Sequence, residues 1–74
     1  MTMSETRDVL AQNIRRLRKI KGMQVNQLAE ASGLSRSFVG MVEHSKVNIS
    51  IDKIEAIAKV LGVEVYVLFV TQQK

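Results

Sequence analysis

The sequence predicts an all-α domain. Apolar residues recur at helical spacing through most of its 74 positions, no proline interrupts the pattern, and glycines stand where successive stretches end, at Gly22, Gly33 and Gly62. In the first stretch Ser4 or Thr6 is placed to cap a helix whose face carries Leu10, Ile14 and Leu17 and which ends at Gly22. A second starts near Gln24 or Val25, carries Leu28, Ala29 and Ala31, and stops at Gly33. Ser35 caps a third over roughly Arg36 to Glu43, with Val39 and Val42 turned inward, and "HSKVN" follows as a polar loop. Ser50 caps a fourth, striped by Ile54, Ile57, Ala58 and Leu61 and ended by Gly62.

The tail, "VEVYVLFVTQQK", is rich in residues that favour strands. It fits either a short fifth helix or a strand paired with its copy in a dimer. Its apolar density is high, and an exposed apolar patch there would mark an interface.

A chain of 74 residues is one domain, and a domain this size buries only about 60% of its unfolded surface. With no cysteine and a lone histidine, His44, neither disulfides nor a zinc site is available, so no metal or cofactor is expected and oligomerisation is the remaining support. No apolar run approaches the ~18 residues of a membrane span, and "MTMSETRDVL" lacks a signal-peptide pattern, so a soluble, cytoplasmic protein with no membrane partner is expected. The net charge of +4 suits a polyanion such as nucleic acid, although small domains are also basic without one.

The stretch from Ala29 to His44, "AEASGLSRSFVGMVEH", is the informative one. Gly33 supplies the left-handed backbone of a sharp turn, and Ala29 is small enough for the next helix to cross closely. The result is a helix-turn-helix over about residues 24–43. Its second helix sets Val39 and Val42 on one side and Arg36, Ser37, Gly40 and Met41 on the other. A helix built only to pack has no need of so short and polar an outer face.

With these residues in place, the chain resembles the Cro/C1-type helix-turn-helix repressors, the Xre family. "IRRLRKIKGM", "LAEASGLSRSFVGMVE", "NISIDKIEAIAKVLGV" and the closing "LF" match it in order and spacing, from about Ile14 to Phe69. The resemblance implies a compact five-helix, lambda-repressor-like domain whose third helix lies in the major groove of double-stranded DNA, in a homodimer on a palindromic operator. On such a helix Arg36 stands where an arginine fork meets guanine O6 and N7, and Ser37 can bond a base or a phosphate. Gly40 permits close backbone approach, and Met41 suits a thymine methyl. Ser35, at the start of the helix, is grouped with these DNA-binding residues.

His44 is placed either to bond the last carbonyls of its helix or to contact a phosphate. Lys46 and Asn48 are phosphate candidates in the loop that follows, and Asn48 is equally suited to a turn. The run "RRLRKIK" carries five positive charges in seven residues, pointing in several directions. Within it, the resemblance assigns Arg18 to a structural salt bridge with Glu43. Arg15, Arg16, Lys19 and Lys21 are expected to be solvated. One departure stands out: the family starts its second helix with Thr-Gln, and this chain has Gln24-Val25. Val25 cannot make the phosphate bond, which passes to Gln24 or Asn26.

For dimerisation the segment from about residue 60 to 74 is expected to serve, through Val60, Val63, Val65, Tyr66 and Phe69. Val65 and Tyr66 are the stronger candidates, since Val63, Leu68 and Phe69 also complete a monomer core. The expected function is a sequence-specific transcriptional regulator, such as a phage-type repressor or a restriction–modification controller. The phrase "RSFVGMVEHSKVNIS" looks like the controllers. The alternative is a protein-interaction module or antitoxin-type partner with weakened DNA binding. No nucleophile–base constellation supports an enzyme, and no small-molecule ligand is evident.

Overall fold

The computed structural model describes residues 3–71, with side chains from Glu5 onward. Four α-helices follow one another: α1 (Met3–Ile20), α2 (Val25–Ser32), α3 (Arg36–Glu43) and α4 (Ile51–Leu61). A single 3-10 helix, Val65–Phe69, closes the chain. Among the described residues there is no strand, and the fifth helix implied by the family resemblance is this one short 3-10 turn.

Local chemistry accounts for the helix ends. Ser35 Oγ accepts from the Phe38 N–H at 3.0 Å, and Ser50 Oγ accepts from the Lys53 N–H at 3.2 Å. Gln24 precedes α2 and donates its own N–H to Gln27 Oε1 at 2.7 Å, so a side chain one turn inside the helix covers the weak cap. Thr6 lies inside α1, which already runs from Met3, and so is too far in to be its N-cap, while the side chain of Ser4 lies outside the described residues. The turn between α2 and α3 depends on Gly33 at φ +75°, from which the Leu34 N–H returns to the Ala29 carbonyl at 2.8 Å. After α3 the same reversal is made by Ser45 at φ +60°, with the Lys46 N–H bonded to the Met41 carbonyl at 2.9 Å. A residue with a side chain is thus held in backbone space that favours glycine.

The core draws on every element: Leu10 and Ile14 of α1, Leu28 and Ala29 of α2, Val39 and Val42 of α3, Ile54, Ile57, Ala58 and Leu61 of α4, and Leu68. Leu17 is only half-buried against this cluster, and Ala31 faces outward. Helix α1 packs on α3 and on the 3-10 turn, while α2 packs on α3 and α4. Helix α3 is therefore held from two sides, and its outer face stays free.

Two buried polar groups complete this framework. Asn13, 1% exposed, donates through Nδ2 to the carbonyls of Leu68 at 2.8 Å and Val70 at 2.9 Å. These carbonyls end the 3-10 turn, and their bonds to Asn13 tether the tail to α1. A strand-rich tail bends this way because a lone strand has no partner within one small domain. Arg18 is the second group. It grips Glu43 with two arms, Nε to Oε2 at 2.7 Å and Nη2 to Oε1 at 3.0 Å, and its Nη1 donates to the Met23 carbonyl at 2.9 Å.

Two stability predictions follow from these contacts. Asn13→Ala leaves buried carbonyls without donors and should cost about 1–3 kcal/mol in urea unfolding, with the loss centred on the tail. Arg18→Ala and Glu43→Ala should each cost about 3–5 kcal/mol, because each strands the opposite charge. Removing both should cost much less than the sum, and a strictly additive double-mutant cycle would refute the assignment.

Candidate nucleic-acid interface

Helix α3 has two contrasting sides. Val39 and Val42 are buried in the core, and Phe38 is half-buried against it, with Lys53 Nζ 4.8 Å from the centroid of its ring. On the opposite side Arg36, Ser37, Met41 and His44 are exposed, and Gly40 lies half-exposed among them. At spacings of three and four residues, Ser37, Gly40, Met41 and His44 form one stripe along the helix. Together with Lys46 they line a shallow open depression.

The ends of this stripe are fixed differently. At the start, Ser35 uses its hydroxyl oxygen as a cap, directly before Arg36. At the finish, His44 Nδ1 lies 2.7 Å from the Gly40 carbonyl. A carbonyl only accepts, so Nδ1 carries the hydrogen and Nε2 is the ring nitrogen left for another partner. The bond to a final-turn carbonyl is one of the two roles expected of this histidine.

Helix α1 braces the stripe from behind. Besides the Arg18–Glu43 fork, Arg15 Nη1 donates to the Glu43 backbone carbonyl at 2.6 Å. Arg15 is therefore not simply solvated, as expected from the sequence, and neither is Arg16, which is half-buried with Nη2 3.3 Å from Asn13 Oδ1. Lys19 and Lys21 are exposed. The signal for Arg15 was its position one helical turn before Arg18, on the same flank of α1. The signal for Asn13 was a short amide lying between the apolar positions Leu10, Ile14 and Leu17.

The remaining candidate residues are dispersed. Gln24 and Asn26 are exposed at the N-terminal end of α2, and Val25 between them packs against the core. Asn48 lines a different groove, with Thr6, Arg7, Leu10 and Phe69. At the C-terminal side, Tyr66 is 70% exposed, with Phe69 and Val70 also outward. Val60, Val63 and Val65 are half-buried against the monomer's own core. Phe69 and Val70 lie with Tyr66 on the exposed apolar surface, and Val65 stands beside them, partly exposed. Residues 72–74 of the expected dimerisation segment lie outside the described residues.

Comparison with known proteins agrees with this architecture. The helix-turn-helix family model HTH_3 matches residues 14–68. The control protein C.SmaI of Serratia marcescens is 35% identical over 68 residues, covering 92% of this chain and 81% of that protein. The fold matches the restriction-modification controller protein C.AhdI from Aeromonas hydrophila with a TM-score of 0.83 at 40% identity, over 85% of this chain and 96% of the other. It also matches the N-terminal DNA binding domain of SinR from Bacillus subtilis, with a TM-score of 0.83 at 31% identity, over 90% of this chain and 99% of that domain. Full-length SinR is longer, and the chain spans 55% of it. On the family match and these relatives, the chain belongs to the Xre/Cro–C1-type helix-turn-helix family.

Proposed function

We propose that the protein is a sequence-specific double-stranded DNA-binding transcriptional regulator, acting as a homodimer on a palindromic operator in the manner of a restriction–modification controller or phage-type repressor. The observation that carries this reading is the stripe on α3, with an exposed arginine, serine and methionine and an open glycine, on a helix locked to the domain by its other side. In this reading α3 enters the major groove and Arg36 reads a guanine through its bidentate fork. Ser37 and Met41 contact neighbouring base edges, and the main chain comes close at Gly40.

Around them, Ser35, His44 and Lys46 meet phosphates, with Gln24 and Asn26 at the start of α2 and Asn48 further along the loop. Phosphate contacts supply much of the affinity and position the helix, and base contacts supply the preference. Two copies joined through Tyr66 and Phe69, with Val60, Val63 and Val65 beside them, read half-sites about one helical turn apart, roughly 34 Å. The relatives named as control protein, controller protein and DNA binding domain support this reading.

One observation favours a second reading, a protein-interaction module that has weakened DNA binding. Val25 packs inward where the family pattern puts a glutamine, so that phosphate bond has no donor at its usual place.

Selection of sites from a random duplex pool, with wild type and Arg36→Ala side by side, separates the two. A palindromic consensus that loses a guanine preference in the variant, with affinity falling steeply as salt rises, is the expected result. No enriched sequence at low salt from folded protein would favour the interaction module. For the dimer, Tyr66→Glu should shift the sedimentation profile at micromolar concentration towards monomer and weaken operator binding. An unchanged profile would rule out this surface.

A further inference from the structure

We infer that the depression over Gly40 is a receptor for the 5-methyl group of a pyrimidine, thymine in unmodified DNA. The inference rests on the proposed placement of α3 in the major groove and names what one part of that helix reads.

Gly40 has no role in the fold. Its backbone is ordinary right-handed helix, and a Cβ built on it meets no atom within 4 Å. Alanine would fit there and would favour the helix. The other three glycines all sit at positive φ, where turns require them. Gly40 alone leaves open space where a side chain would stand on the exposed side of a helix.

The surroundings specify the chemistry of what fills it. Ser37, Gly40, Met41, His44 and Lys46 line it. The His44 ring is tied to the Gly40 carbonyl by a 2.7 Å bond. The exposed surface of the depression is mostly apolar, which does not suit a phosphate. Lys46 and the nearby Arg36 are cationic, which suits a polyanion. A polyanion that presents an apolar knob is what the major groove offers at thymine, whose C5-methyl is the aliphatic group on natural base edges. The thioether of Met41 adapts its shape to such a group.

The test is a thymine-to-deoxyuridine scan of the selected operator, one position at a time, with the full chain and with Gly40→Ala. At one thymine per half-site, deoxyuridine should weaken wild-type binding roughly fourfold, the effect of one methyl leaving an apolar contact. In Gly40→Ala, which should melt at a higher temperature than wild type, that position should no longer respond. Cytosine at the same position should bind weakly and 5-methylcytosine should recover part of the loss. Tight, selective binding with no response to deoxyuridine at any position would overturn the methyl receptor and leave the DNA-binding reading standing. Loss at one thymine that persists unchanged in Gly40→Ala would place the methyl elsewhere and overturn it as well. Absence of selective binding to unmodified duplex would overturn the DNA-binding reading itself.

Discussion

The Arg18–Glu43 fork is the contact through which the domain holds its outward-facing helix. Helix α3 has only eight residues, too few to be stable alone, so its geometry comes from packing and from its ends. Val39 and Val42 seat its inner side, but apolar packing is non-directional and tolerates rotation of a short rod. The planar fork does not. It fixes Glu43 by two oxygens, while Arg15 takes the main-chain carbonyl of the same residue. Because Arg18 also holds the Met23 carbonyl, one buried cation joins α1, the turn that leads to α2, and the end of α3. Small rotations of α3 would displace Arg36 and Met41 together, so a rigid hold behind the stripe serves positioning in front of it.

Asn13 does comparable work at the other end of the molecule. A terminal segment of Val, Tyr and Phe carries strong strand propensity, yet propensity is a weak prior where no second strand is available. Burying Leu68 brings its neighbouring carbonyls out of water, and the amide of Asn13 meets them. The price of the compact turn is a polar group inside α1. Its consequence is that Tyr66, Phe69 and Val70 are displayed on a short, anchored 3-10 helix and its exit.

Where the sequence departs from what stability favours, it does so around α3. Gly40 sits in mid-helix, where alanine is better, and Ser45 sits at positive φ, where glycine is better. Gly40 lies within the exposed stripe, and Ser45 directly follows its last residue, His44. Local conflicts of this kind mark places where requirements other than folding act on the residue choice.

Much of the architecture was legible because it is written in local rules. Ser35, Ser50, Gly33 and Gly62 act within one helical turn of themselves, so helix ends could be read from residue type. The three- and four-residue spacing of Leu10 and Ile14, of Val39 and Val42, and of Ile54, Ile57, Ala58 and Leu61 named the core for the same reason. The outer face of α3 was legible by subtraction, as what remained after Val39 and Val42 turned inward. Arg15 was read as solvated, and the burial of Asn13 was not read at all. Whether Arg15 meets water or the Glu43 carbonyl, and whether Asn13 is surface or core, depend on elements 28 to 57 positions away. The helices, the ends of α2 to α4 and the face that α3 leaves open follow from residues close together in the chain, since hydrophobic period and caps act at short range. Which polar groups are buried and paired, and how the tail turns, came from the packing of distant segments. Those outcomes depend on which acceptors distant segments bring within hydrogen-bond reach.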